Sequence, residues 1–201
     1  MDNYTDKYVE KESYISDFTD PIVWRSHSNY MILKYYQKYI KGYVGDCGSN
    51  HCAVSILLND FNPDKIVCID LNKEALQIGA NTAASMGINN MYFVNTNLLN
   101  ISCNTAIFDF VVSFHTLEHI YPEDAPKIIG EMHRILKPGG YLLISIPYEH
   151  NYPDPCHVAF YNEHSLSDLM SACDFVVMEV YKDDRFNQKN LLTALFYKKS
   201  V

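Results

Sequence analysis

The chain is predicted to fold as an α/β domain built on a doubly wound, mostly parallel sheet. Short apolar runs alternate with segments of helical period along most of its length. The runs are near-continuous rather than alternating, as in strands covered on both faces. Each run also ends in glycine or polar residues, where a strand hands over to a loop.

From His27 to Ile40, Tyr30, Met31, Leu33, Tyr35, Tyr36 and Tyr39 fall at helical spacing, and Gly42 stops that helix. A strand at 43–46 runs through Gly48-Ser49-Asn50 into a helix from Ala53 to Leu58. Asn62-Pro63-Asp64 marks a turn. Ile66-Val67-Cys68-Ile69 is a buried strand ending in Asp70, and a helix from Glu74 to Met86 is stopped by Gly87. Strands follow at 91–94 and 108–113. A helix over 122–136 ends at Pro138-Gly139-Gly140, before a strand at 141–146 closed by Pro147. Beyond a proline-rich loop come a helix at 165–172 and strands at 175–181 and 191–198, which pair as an antiparallel hairpin at the sheet edge. Seven strands result, with helices on both faces.

The 201 residues suit one domain at 27–201, preceded by an N-terminal segment at 1–26. Residues 1–20 carry six acids against two lysines without a clear period, and we expect a frayed end or a lid over a cleft. A hydrophobic fraction of 48% excludes disorder of the whole chain. The net charge of −8 argues against a dedicated nucleic-acid binder. The longest apolar runs are too short to span a bilayer. The start, Met1-Asp2-Asn3-Tyr4, is polar and unlike a signal peptide, and of Cys47, Cys52, Cys68, Cys103, Cys156 and Cys173 three lie in apolar or motif-like segments. Free thiols and a cytoplasmic location are expected.

Ligands of open α/β sheets bind beyond the carboxyl ends of the strands. Here those ends are Asp46-x-Gly48-x-Asn50, where Gly48 permits close backbone approach; Asp70, able to accept from both hydroxyls of a ribose; Asn95-Thr96-Asn97-Leu98; and Ser113-Phe114-His115. An acid after the second strand is the mark of an adenosine-containing cofactor.

With these come Val44-x-Asp46-x-Gly48, Ile69-Asp70, and Phe108-Asp109-Phe110-Val111-Val112-Ser113-x-His115-x-Leu117-Glu118-His119. Arg134-Ile135-Leu136-Lys137-Pro138-Gly139-Gly140 and His157-Val158-x-Phe160-Tyr161 with Ser165-Leu166 complete the set. In this order and spacing, over about residues 27–198, the chain resembles the class I S-adenosylmethionine-dependent methyltransferases, in particular the small-molecule and sugar methyltransferases. The resemblance implies a Rossmann-like fold, S-adenosylmethionine as cofactor and S-adenosylhomocysteine as product. It implies Asp46 and Gly48, with Asn50 in the same loop, against the methionine part. Asp70 would hold the ribose hydroxyls, with Leu71 beside adenine. Asn97 would accept from the adenine amine, Leu98 would offer its backbone amide, and Ser113 to His115 would line the route to the acceptor.

The chain departs from the family's glycine-rich loop, where Asn50 and Cys52 stand at two glycine positions. Asparagine tolerates a left-handed backbone; cysteine does so poorly. Matching Asp46-Cys47-Gly48 to a Gly-Cys-Gly start instead would put Val44 at the acidic position. The first register keeps the acid and the spacing to Ser55-Ile56-Leu57. The loop motivates an alternative, a catalytically degenerate methyltransferase-fold binding or regulatory subunit, against which the retained Asp46, Asp70 and histidines count.

His115-Thr116-Leu117-Glu118-His119 also reads as H-x-x-E-H, a zinc-protease pattern. Its first histidine follows a buried strand directly, and Cys47 and Cys52 lack a second pair, so no metal is expected. Asp109 belongs to the strand pattern, Glu118 orients or packs, and His27, His51, His133 and His164 are surface or core histidines. A hydroxyl acceptor needs a general base, with His119 and His157 as first candidates, then His115 and His150. The expected function is O-methylation of a small molecule or sugar, with no nucleic acid or membrane as partner.

Overall fold

The computed structural model describes residues 28–148, 154–183 and 190–200. The expected lid at 1–26, His27 and His150 lie outside them. In chain order the elements are α1 (Ser28–Tyr35), β1 (Tyr43–Cys47), α2 (Ala53–Leu58), β2 (Lys65–Asp70), α3 (Lys73–Ser85), β3 (Met91–Asn95) and β4 (Phe108–Phe114). Then follow α4 (Ala125–Ile135), β5 (Leu136–Pro147), α5 (Glu163–Ala172), β6 (Phe175–Asp183) and β7 (Leu191–Lys198). Short 3₁₀ turns at 98–100 and 117–119 extend the loops after β3 and β4.

The strands form one seven-stranded sheet in the order β3-β2-β1-β4-β5-β7-β6. β1 to β5 are parallel, and β7 lies antiparallel between β5 and β6. Strand order reverses between β1 and β4, which puts the crevice for ligands above their carboxyl ends.

Alternation along each strand splits the core into two layers. Val44, Ile66, Cys68, Phe110, Val112 and Leu143 face Ile32 and Leu33 of α1, Ile56 to Leu58 of α2 and Leu76 of α3. On the other face Ile69, Phe108, Val111, Leu142 and Ile144 meet Ile128, Ile129, Met132 and Ile135 of α4 and Leu166 and Met170 of α5. Asn72 starts α3 by accepting from the backbone of Glu74 and Ala75, each at 3.0 Å. Asn162 and Ser165 close a capping box at the start of α5.

Two elements differ from expectation. The first helix ends at Tyr35, and a 3₁₀ turn at 37–39 replaces its last turn. β5 begins at Leu136, so Pro138-Gly139-Gly140 lies inside an irregular strand rather than before one. Leu136 pairs with Phe108 and Tyr141 with Phe110, so two residues of advance on β4 are matched by five on β5. The excess loops out at Gly139, whose φ of +83° suits glycine. At this amino-terminal edge Asp109 accepts from the Tyr43 amide and from Lys137 Nζ, each at 2.8 Å. Its role there is structural.

Candidate active site

The turn after β1 is built by hydrogen bonds to β2. The amides of Gly48 and Ser49 donate to the Ile69 carbonyl at 2.9 and 3.2 Å. Gly48 has φ +80°, and a Cβ there would collide with Thr116, so glycine is required by backbone and by space. Asn50 and Cys52 follow at φ 45° and 62°, both left-handed. The Asn50 amide donates to Asp70 Oδ2 at 2.8 Å, and the Asn72 amide to Oδ1 at 2.7 Å. One carboxylate thus ties the first turn to the start of α3.

Asp46, 1% exposed, lies beneath this turn and accepts from Ser55 Oγ at 2.5 Å. Burial pushes its carboxyl up to about 7, the Ser55 bond offsetting part of that. Burial also raises Asp70, while its two backbone donors and the nearby His51 pull it down. His51 is half-buried and held below its ordinary value by desolvation, with Asp70 acting against that. Sequence reasoning set His51 aside; its place in the loop beside Asp70 was the available signal.

A second group of side chains stands at the end of β4. His115 is exposed, with φ 52°. Its Nδ1 lies 3.6 Å from Oε1 of Glu118, which is 3% exposed. His119 Nδ1 is 3.2 Å from the Cys156 carbonyl, and the rings of His119 and His157 meet edge to face at 4.9 Å. Glu118, His119 and His157 each bring a ligand-type atom within 4.8 Å of the others. The loop carrying His157 is fastened to this turn: the amides of Val158 and Ala159 both donate to the Glu118 carbonyl, at 2.8 and 3.1 Å. Burial lowers the His119 pKa, with Glu118 acting in the opposite direction.

A family profile described as "Methyltransferase domain" matches residues 45–144. The demethylmenaquinone methyltransferase of Staphylococcus epidermidis is 27% identical over 141 residues, covering 70% of this chain and 56% of the relative. The ubiquinone/menaquinone biosynthesis C-methyltransferase of Haemophilus ducreyi is 29% identical over 114 residues, 56% of this chain and 42% of the relative. The chain thus spans about half the length of the curated relatives it matches. An S-adenosylmethionine-dependent methyltransferase of Methanosarcina mazei superposes with a TM-score of 0.70 at 22% identity, covering 83% of this chain and 98% of that one. The chain belongs to the class I S-adenosylmethionine-dependent methyltransferases. The 1,6-didemethyltoxoflavin-N1-methyltransferase of Burkholderia thailandensis, solved with bound 1,6-didemethyltoxoflavin and S-adenosylhomocysteine, shares the fold at TM-score 0.71 and 18% identity, covering 87% of this chain and 78% of that one.

Several of the residues that the family resemblance assigns to cofactor binding have free capacity in the structure. Asp70 spends one hydrogen bond per oxygen on backbone amides, and a carboxylate accepts about four, so acceptor capacity remains for ribose hydroxyls. Leu71 beside it is a large apolar side chain left 44% exposed, as a surface for adenine would be. The Leu98 amide opens the 98–100 turn, where amides lack a partner within the turn. Two expected residues are placed differently. The Asn97 amide oxygen caps this same turn by accepting from Leu99 N at 2.9 Å, so one of its lone pairs is committed. Ser113 is fully buried and donates to the Cys47 carbonyl at 3.0 Å, bracing β4 to β1 instead of lining an open route. A cavity of 480 Å³ lined by Lys38, Tyr39, Asp109, Lys137 and Tyr141 sits at the opposite, amino-terminal edge and takes no part in this site.

Proposed function

We propose that this protein moves a methyl group from S-adenosylmethionine to an oxygen of a small-molecule or glycan acceptor. The observation that carries the reading is one sheet edge holding both the Asp46–Gly48 turn with Asp70 and the imidazole–carboxylate cluster of His115, Glu118, His119 and His157. When bound, S-adenosylmethionine supplies a methyl carbon activated by a sulfonium and open to in-line displacement. Asp70 would hold the ribose, Leu71 would offer adenine an apolar surface, and the Gly48 backbone with Asp46 would receive the methionine part. A hydroxyl loses its proton as its bond to carbon forms, and imidazoles are the side chains best able to accept it near neutral pH. The cluster His115, His119 and His157 provides them, and burial favours the neutral form of His119.

Asn50 and Cys52, which motivated a non-catalytic reading, hold left-handed backbone here as glycines would. That supports a working loop. A second acceptor class is favoured by the relatives from S. epidermidis and H. ducreyi, whose names describe quinone and C-methyltransferase chemistry. A quinol ring would also need a base at a hydroxyl, with carbon then taking the methyl group. Six cysteines present as free thiols support a reducing, cytoplasmic setting. Among the described residues no helix is long and apolar enough to cross a membrane.

The test is incubation with S-adenosylmethionine and a panel of sugars, phenols and quinols, following S-adenosylhomocysteine release. Nuclear magnetic resonance of the product separates O-methyl from C-methyl. O-methylated product supports the proposal; C-methylated quinol replaces it with the second acceptor class. Cofactor binding without turnover on any acceptor would favour the regulatory subunit.

A further inference from the structure

We propose that Glu118, His119 and His157 form a binding site for a divalent transition-metal cation of the zinc class. Three independent features of the described residues point there. One ligand-type atom from each residue lies within 4.8 Å of the other two, with the acid buried and both imidazoles half-exposed. The Glu118 carboxylate is 3% exposed, and no hydrogen-bond donor among the described residues reaches either of its oxygens. The His115 Nδ1 stands 3.6 Å from Oε1, too far for a hydrogen bond. A carboxylate removed from water without donors is strongly disfavoured unless a cation compensates it.

The third feature is rigidity. Val158 and Ala159 amides clamp the Glu118 carbonyl, and the His157 amide donates to the Asp154 carbonyl at 2.9 Å. His119 Nδ1 faces the Cys156 carbonyl, which can only accept, so a neutral ring carries its proton there and its lone pair on Nε2. A backbone carbonyl on one ring nitrogen is the usual support for a metal-ligating histidine. Bonds of about 2.0–2.2 Å place ligand atoms about 3–4 Å apart, so closure from 4.8 Å or less needs a small side-chain adjustment.

Two imidazole nitrogens and one carboxylate oxygen suit zinc, cobalt and related ions, whereas magnesium and calcium prefer oxygen throughout. Three protein ligands leave at least one coordination position open. The half-exposed histidines put that position on the solvent side, where an acceptor oxygen could take it. This use of the ion rests on the methyl-transfer reading; the binding site itself does not. The arrangement also differs from a helical H-x-x-E-H pair, because the second imidazole comes from the loop at 154–159 and not from His115. Local spacing in the sequence therefore misses it. With His119 and His157 committed to the ion, His115 is the imidazole of the cluster outside its coordination shell.

The test uses the full chain, stripped with chelator and titrated by calorimetry with Zn²⁺, Co²⁺, Mg²⁺ and Ca²⁺. Co²⁺ absorption in the visible range is a second readout. We expect one equivalent of Zn²⁺ or Co²⁺ per chain, at least tenfold tighter than Mg²⁺ or Ca²⁺. Glu118→Gln, His119→Gln and His157→Gln should each weaken Co²⁺ at least tenfold and change its spectrum. His164→Gln, an exposed histidine outside the cluster, should bind as the wild type does. S-adenosylhomocysteine binding by the same samples checks that each variant is folded. No metal equivalent, a preference for Mg²⁺, or wild-type affinity in all three variants would overturn the site. Cofactor binding without metal removes this inference alone. Metal without cofactor leaves the site standing and removes the methyl-transfer reading.

Discussion

Burial holds the Asp46 carboxyl up to about 7, against an ordinary 3.8, even though Ser55 donates to it. The folded chain therefore binds a proton here that the unfolded chain releases between those values. The contribution to stability is complete below about pH 4 and is lost as pH rises through 7, the reverse of a salt-bridged aspartate. In the proposed placement a cationic methionine portion beside Asp46 would favour the ionised form, so S-adenosylmethionine should bind more tightly as pH rises from 6 to 8. The expected gain approaches tenfold per unit below the pKa and levels off above it. Calorimetry across that range checks this, and Asp46→Asn should flatten the dependence. A flat profile in the wild type would place the Asp46 charge outside the binding equilibrium.

Cys52 was the feature of the sequence hardest to reconcile with a working loop, and α3 supplies its explanation. The cysteine is fully buried, and a Cβ added at Gly79 would meet Cys52 Cβ at 2.8 Å and the His51 carbonyl at 3.0 Å. A glycine in the middle of a helix leaves the room that the Cys52 side chain occupies. Helix propensity alone predicts that Gly79→Ala gains about 1 kcal/mol. Over-packing costs about 1–3 kcal/mol, and the contact with backbone cannot relax by a rotamer change, so the net sign should be destabilising. Chemical denaturation checks this. Cys52→Gly in the Gly79→Ala background should recover part of the loss, a coupling that independent sites would not show. At the start of the same helix, Asn72→Ala should cost about 1 kcal/mol through the lost cap. Because the Asn72 amide still reaches Asp70 in that variant, cofactor affinity should fall far less than in Asp70→Ala. These couplings were illegible beforehand because they join residues through packing, whereas the strand ends Asp46, Gly48 and Asp70 announce themselves by position. The same limit hid the meeting of Glu118 with His157. The strands themselves were read almost to the residue, since their apolar runs are local; β5 was not, because its irregular start is set by pairing with β4 and by Gly139.

For the molecule as a whole, the cofactor edge binds together parts that the chain order separates: the turn after β1, the end of β2, the turn at 98–100 and the loops after β4 and β5. A ligand seated there contacts the folded state alone and must stabilise all of it by mass action. At a hundredfold excess over its dissociation constant, S-adenosylhomocysteine should add about 2.7 kcal/mol. For a chain of this size about 1 kcal/mol moves the melting temperature by roughly 2–4 °C, so a rise of about 5–10 °C is expected. Asp70→Ala should lose most of that rise. Its own melting temperature should also fall, since the Asn50 and Asn72 amides lose their acceptor. The two effects separate in a ligand titration, because the first depends on concentration and the second does not. Differential scanning fluorimetry of wild type and variant provides the measurement. A wild-type chain indifferent to S-adenosylhomocysteine at millimolar concentration would mean that Asn50 and Cys52 reproduce the backbone of the glycine loop without its function.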